Sequence, residues 1–307
     1  MTLKPEFLDP RTTERRNPRT TAIDRASSLE IVDLMNAEDR RVPEAVHAER
    51  ATLACAIDLA TSAIEAGGRL IYVGAGTSGR LGVLDAAECP PTFGTPPELV
   101  VGVIAGGPAA LTRSQEGAED DTAAAEQAMA ENGVDAQDFV LGIAASGTTP
   151  FVSAALKRAN DLGAVTGLVT CAAPPDDLEL DVVIAVHTGP EALTGSTRLK
   201  AGTATKLVLN CISTGTMLRR GMAFGNLMVD LKAWSDKLVD RGERIVMEAT
   251  GAGREEARRV IEAAEGNVKL AIVMVSRSVS AAEGERLLTD AGGVVRAVVG
   301  DPPSVIE

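Results

Sequence analysis

The residues able to do chemistry gather behind three apolar stretches of the chain. The first group follows Arg69 to Val73, where Gly74, Ala75, Gly76, Thr77, Ser78 and Gly79 form a glycine and hydroxyl turn. Glycines let the backbone turn tightly and approach an anion, while the free amides opening the next helix point at it with the positive end of the helix dipole. Thr77 and Ser78 add hydroxyl donors without charge. Glu88 follows beside Cys89, Pro90 and Pro91, so this stretch describes a phosphate cradle with a carboxylate next to it. Taken alone, the turn also reads as a strand-to-helix connection with no ligand.

A second apolar strand, Phe139 to Ala145, ends in Ser146, Gly147, Thr148 and Thr149, and Pro150 suits the first turn of a helix running to about Leu162. A third turn, Thr194, Gly195, Ser196 and Thr197, opens an apolar helix from about Leu199 to Leu218, with Lys200 just inside it. Lys200 is placed to face a phosphate, a carboxylate or solvent. Three uncharged hydroxyl turns suit a polyol phosphate.

Acid and base work falls on carboxylates or lysines. The two histidines, His47 and His187, are too few for a multi-histidine metal site and each reads as structural or exposed. Glu88 lies in an apolar, Pro-rich neighbourhood that would raise its pKa toward a useful value; a solvated helix-end glutamate is the alternative. Glu116, Glu119, Asp120 and Asp121 form a second acidic cluster, which as part of a first helical turn needs no function.

Gly74 to Gly79 also spells G-x-G-x-x-G, which for a nicotinamide cofactor calls for an acid about 20 residues on, at the end of the next strand. Leu99 to Pro108 (LVVGVIAGGP) ends in no acid, which disfavours that cofactor. A net charge of -13, with one Trp, one Tyr and five Phe, argues against nucleic acid as a partner. Cys55, Cys89, Cys171 and Cys211 form no C-x-x-C pair, so neither a zinc site nor a disulfide framework is suggested and a reducing cytoplasm fits. The charged amino terminus is no secretory signal, and no segment reaches membrane-spanning length.

The elements that must position these groups alternate. Strands are expected near residues 69–73, 99–105, 138–145, 164–170 and 181–186, with helices between them, which predicts an α/β fold: a doubly wound parallel sheet of five strands covered on both faces. In such a sheet, turns at the carboxyl ends of neighbouring strands converge on one crevice. Before the sheet, Met1 to about Thr21 reads as an extended arm ordered on a partner subunit, Ser27 to Asn36 as a short helix, and Pro43 to Ala66 as a long one. After Val186 the pattern is helix upon helix, with Lys232 to Thr250 as one long helix and a boundary at Gly251 to Gly253. Val268 to Val275 reads equally as a strand or a buried helix. The expected domains are residues 1–45 (arm and short helix), 46–250 (the sheet, its helices and the three hydroxyl turns) and 251–307 (small, carboxyl-terminal).

GRLIYVGAGTSGRLGVLDAAECPPTFG, VVGVIAGG, GAEDD, GIAASG, LTGSTRLKAGTATKLVLN and FGNLMVDLKA resemble the N-acetylmuramic acid 6-phosphate etherases, of the sugar isomerase (SIS) fold, in unbroken order from about Ile23 to Val299. The resemblance implies an intracellular, cofactor-free lyase that removes the D-lactyl ether from C3 of an amino sugar phosphate. It also implies a homodimer with a small helical carboxyl-terminal domain, which makes Val268 to Val275 a helix. Carried over by motif, Glu88 of AECPP resembles the family's acid/base residue and Glu119 of GAED its second catalytic carboxylate. Gly76, Thr77, Ser78, Gly79, Ser146, Gly147, Thr148, Thr149, Ser196 and Lys200 are then the candidate substrate contacts, and no metal is expected. One departure stands out: the family commonly reads ASGRTP where this chain has ASGTTP, so Thr148 leaves any guanidinium contact from that loop in doubt. The rivals are a sugar phosphate sensor without catalysis and an aldose-ketose isomerase of the same fold, and release of lactate separates both.

Overall fold

The computed structural model describes residues 11–231 and 236–304. An apolar run without alternation suits a strand covered on both faces, and Leu70–Gly74 (β1) and Phe139–Ile143 (β3) are buried along their whole lengths. With Val100–Ile104 (β2), Val165–Thr170 (β4) and Val182–Ala185 (β5) they make, among the described residues, a five-stranded sheet in the order β2-β1-β3-β4-β5, parallel throughout. Each strand falls within about two residues of its expected span. From β1 the chain crosses to one side for β2 and to the other for β3, so β1 borders the switch point. Gly74 lies level with Ile104 on one side and Ile143 on the other. The connections after β1, β2 and β3 therefore leave the sheet together.

Ser28–Asp39 (α1) opens on a capping box, in which the Ser27 hydroxyl accepts from the Glu30 amide and the Glu30 carboxylate accepts from the Ser27 N–H. The single helix expected over 43–66 is two, Val42–Ala48 (α2) and Arg50–Glu65 (α3). They break at Glu49, whose carbonyl and carboxylate both accept from the Thr52 hydroxyl. Gly76–Phe93 (α4) lies so close to β1 that a Cβ on Gly79 would sit 2.6 Å from the Gly74 carbonyl oxygen. These two glycines serve the contact between strand and helix. Thr122–Glu131 (α5), capped by Asp121, and Pro150–Asp161 (α6) pack with β1 and β3 around Met129, Phe151, Leu156 and Val140. Lys200–Arg219 (α7) follows β5.

The amino-terminal segment is not an extended arm where it is described. Residues 1–10 lie outside the described residues, but Thr12–Glu14 and Ile23–Arg25 form short 3-10 turns. Thr13, Asn17 and Thr20 are buried within their own chain. Asn17 donates to the Pro190 carbonyl at 3.1 Å and Thr20 to that of Ala192 at 2.8 Å.

The chain divides into two compact units, one reaching to Ala87 and resuming over Pro97–Ser213, the other made of Glu88–Pro96 and everything from Thr214. The second is larger than a domain beginning at residue 251. Its core joins Phe224, Leu231 and Val246 to Ile261, Leu270, Ile272 and Val295, carried largely by Asp236–Thr250 (α8), Arg254–Ala263 (α9), Val268–Arg277 (α10), Ala281–Asp290 (α11) and Val295–Val299 (α12). The start of the helix expected from Lys232, residues 232–235, lies outside the described residues. The apolar run Val268 to Val275 is helical: the Asn267 side chain accepts from the Leu270 amide to start α10, and Ser278, at φ 55, ends it. Among the described residues no helix is long and apolar enough to cross a membrane.

Candidate active site

The first loop opens α4. Gly76 takes a left-handed φ of 54 with nothing within 4 Å of the place a Cβ would fill, and the Gly79 amide donates back to Ala75. The amides of Gly76, Thr77 and Ser78 stand ahead of the helix's own ladder. Gly76 lines a cavity of about 290 Å³ with Arg80, Ser114, Glu116 and Glu119. The acids come from the connection after β2, where Ala118–Asp120 is a 3-10 turn and Asp121 caps α5 by accepting the Ala124 amide. Thus Glu119, exposed at its turn, meets Ala75 and Gly76 of the first loop in one hollow, which Thr77, Ser78 and Gly79 do not line.

The second loop leaves β3 beside the first. Gly147, at φ 77, passes so close to the Ala173 carbonyl that a Cβ would lie 2.7 Å from its oxygen. Ser146 Oγ accepts from the Thr148 amide at 3.3 Å, and Thr148 is exposed. Thr149 stands at the N-cap of α6 with no side-chain cap bond and Pro150 follows at the first turn. Three hydroxyls and an uncapped helix start are thereby gathered at the end of β3. This loop does not line the 290 Å³ cavity.

The third loop is built differently, and Lys200 faces neither of the other two loops' open helix starts but the interior. Lys200 is fully buried and its Nζ donates to Glu38 Oε2 at 2.7 Å and to the Thr188 carbonyl at 2.9 Å. Its carboxylate partner, Glu38, comes from α1. The start of α7 is filled as well: Glu191, also fully buried, accepts the amides of Lys200 and Ala201, both at 2.9 Å. Burial pushes the Glu191 carboxyl upward, against the two amides and Lys200. Arg19 grips Glu38 from the other side, with Nη2 2.9 Å from Oε2. Ser196, half-buried, comes four residues before Lys200, and its carbonyl accepts from the Leu199 amide at 3.1 Å.

Glu88 lies twelve residues along α4 from Gly76, about 18 Å at 1.5 Å per residue. The helix runs on through Pro90 and Pro91 to Phe93. Glu88 is exposed, so the apolar surround expected for it is not supplied by this chain. One turn earlier, buried Asp85 accepts from the Tyr72 hydroxyl at 2.9 Å, Asn210 Nδ2 at 2.6 Å and Ser213 Oγ at 3.2 Å. This ties α4 to β1 and α7. Burial pushes the Cys171 thiol up to about 12, which removes it as a nucleophile. His47 and His187 are exposed.

Sequence reasoning missed Arg80, Glu38 and Glu191. Arg80 had a signal, four residues after Gly76 on the same helical face. Glu191 had a weaker one, an acid shortly before a helix start. Glu38 had none, because its partner is 162 residues away.

The description "Glucokinase regulatory protein N-terminal SIS domain" matches residues 52–160. Over 284 residues the chain is 52% identical to a Pectobacterium atrosepticum protein named N-acetylmuramic acid 6-phosphate etherase, covering 92% of this chain and 94% of that one. A Serratia proteamaculans protein of the same name is 52% identical over 289 residues, 93% of this chain and 97% of its own. Among solved structures, a phosphoheptose isomerase from Francisella tularensis is similar at a TM-score of 0.49 and 19% identity, covering 63% of this chain and 100% of that one.

Proposed function

The chain belongs to the N-acetylmuramic acid 6-phosphate etherase family, and on that premise we propose how its residues carry out the reaction. It is a lyase that cleaves the D-lactyl ether of N-acetylmuramic acid 6-phosphate, giving N-acetylglucosamine 6-phosphate and D-lactate, a step of peptidoglycan recycling.

In the open-chain sugar the C1 aldehyde acidifies the C2 proton. A carboxylate removes that proton, the C3–O bond breaks, and the departing lactate oxygen takes a proton from an acid, leaving a C2–C3 double bond conjugated with the aldehyde. Water then adds: its oxygen goes to C3 and a proton from solvent returns to C2. One water enters and one lactate leaves. Glu88 and Glu119 are the two carboxylates, Glu88 moving protons at C2 and the leaving oxygen, and Glu119 assisting ring opening or orienting the water. Sharing of one cavity by Glu119 and the first loop supports this reading.

The phosphate sits at the second loop, on the Ser146, Thr148 and Thr149 hydroxyls and the uncapped start of α6, while Thr77 and Ser78 meet the sugar. No step calls on a metal or cofactor, and the reaction belongs in the cytoplasm. The working form is a homodimer. Leu84, 53% exposed, and Glu88 are one turn apart on one face of α4, and a second copy laid there would bury the leucine and give Glu88 the apolar surround its own chain lacks.

The chain-long likeness to named etherases carries the reading. Purified protein should release D-lactate from N-acetylmuramic acid 6-phosphate and much less from the unphosphorylated sugar. Equal rates would sink the phosphate assignment, and no lactate from either would sink the activity.

A further inference from the structure

Asp85 lies buried in α4 one turn before Glu88, and its carboxylate accepts from three neutral side chains: the Tyr72 hydroxyl at 2.9 Å, Asn210 Nδ2 at 2.6 Å and the Ser213 hydroxyl at 3.2 Å. Tyr72 belongs to β1, and Asn210 and Ser213 belong to α7. Burial penalises a carboxylate, so an apolar side chain would serve better if packing were all that this turn of α4 required. What the carboxylate supplies is direction: donors arriving from two elements fix one side chain, and with it the rotation of the helix that carries it.

Beyond Asp85 the helix has less of its own to hold it. Pro90 and Pro91 carry no N–H, so the two ladder bonds to the Ala86 and Ala87 carbonyls cannot form. Glu88 stands exposed between the Asp85 anchor and these prolines. The start of α4 is fixed separately, by the close packing of Gly79 on the Gly74 carbonyl. We propose that Asp85 is a positioning residue for the proton transfers of the etherase reading, on which this inference rests: it aims Glu88 by fixing the rotation of α4 and takes no part in binding substrate.

The test follows lactate release from N-acetylmuramic acid 6-phosphate in three variants. Asp85→Ala removes the anchor, and Asn210→Ala keeps the carboxylate but removes its shortest bond. Asp85→Asn removes the charge while an oxygen stays against Asn210 and Ser213 and the new amide donates to the Tyr72 hydroxyl. Misplacing a reacting group by about 1 Å costs up to about 10²-fold, so kcat should fall about 10²-fold in Asp85→Ala and about 10-fold in Asn210→Ala, while Asp85→Asn stays within about threefold of wild type. KM should stay within about twofold in all three, and in a Glu88→Gln background either Ala change should cost less than about twofold more, because the group it positions is already disabled. Circular dichroism at the assay temperature shows which variants are folded, and Asn210→Ala decides if Asp85→Ala is not.

Unchanged kcat in the Ala variants would overturn the proposal. So would Asp85→Asn falling as far as Asp85→Ala, which would assign the effect to the charge, a loss repeated in full without Glu88, or a KM that rises in step with the fall in kcat. A wild-type protein that releases no lactate would instead refute the etherase reading beneath it.

Discussion

The first and third loops look alike in sequence, each a glycine and hydroxyl turn opening an apolar helix, yet the chain finishes them in opposite ways. The start of α4 opens on a cavity shared with Glu119. The start of α7 is closed by the chain's own carboxylate, Glu191, and sealed by the buried Lys200–Glu38 pair. Both obey the rule that a helix start attracts an anion. They differ in whether the fold already supplies that anion, and the proposed substrate phosphate and sugar are assigned to the helix starts that it leaves open.

The comparison breaks first at Lys200. Replacing it with Met leaves the buried Glu38 carboxylate to Arg19 and Asn17, and removing one partner of a buried pair costs about 3 to 5 kcal/mol, so thermal or urea unfolding should show a large loss. The same knot sets an acid limit. The hydrogen bond from the Arg19 guanidinium, opposed by burial and helped by Lys200, holds the Glu38 carboxyl at about 2, against an ordinary 4.5. A depressed carboxyl contributes stability above its unfolded pKa and loses it as pH falls, here from about 4.5 toward 2. Glu191, raised by burial, has the opposite sign and acts above 4.5, where its penalty is relieved as pH falls, before the Glu38 loss sets in. Unfolding midpoints should therefore fall steeply below pH 4.5 in the wild type and more gently in Glu38→Gln. Parallel curves would mean that Glu38 is not the group responsible.

Next in size is a loss of turnover without a loss of fold. Glu88→Gln keeps its shape but accepts no proton, and about 10²-fold or more in kcat is the usual scale for a missing general base; the unfolding midpoint of so exposed a residue should hardly move. Glu119→Gln should be impaired in the same assay. Normal turnover in Glu88→Gln would remove it from the mechanism.

The smallest effects set the loops side by side. Ser78→Ala and Ser146→Ala should each raise KM by the equivalent of roughly 1.5 to 3 kcal/mol, a lost hydrogen bond to a charged group. Ser196→Ala, beside the closed helix start, should leave KM alone. A KM that rises in Ser196→Ala as in the other two would erase the distinction between open and closed loops.

Much of the fold was legible because its signals are local. LIYVG and FVLGI are apolar without alternation, which suits strands buried on both faces, and Pro150 marks the first turn of α6. The break at Glu49 was not legible, since residues on both sides keep helical spacing. Of the candidate site, the positions of the first two loops at strand ends could be read from their glycines and hydroxyls. The burial of Lys200 in the third was not legible, because Glu38 reaches it across 162 residues, a separation that no periodicity reports. Glu88 was found by motif, but its surroundings were not, because the apolar company of an exposed residue on α4 is not set by its neighbours in sequence.

The central claim is elimination followed by addition of water, and the product itself carries the record. When the reaction runs in deuterated, oxygen-18 water, a carboxylate that removes the C2 proton must leave a solvent-derived one there, and the oxygen at C3 must come from water. N-acetylglucosamine 6-phosphate should therefore carry deuterium at C2 and oxygen-18 at C3 by mass spectrometry and NMR. Product that keeps its original C2 hydrogen and C3 oxygen would mean displacement at the lactyl carbon, and would contradict the assignment of Glu88 as the base.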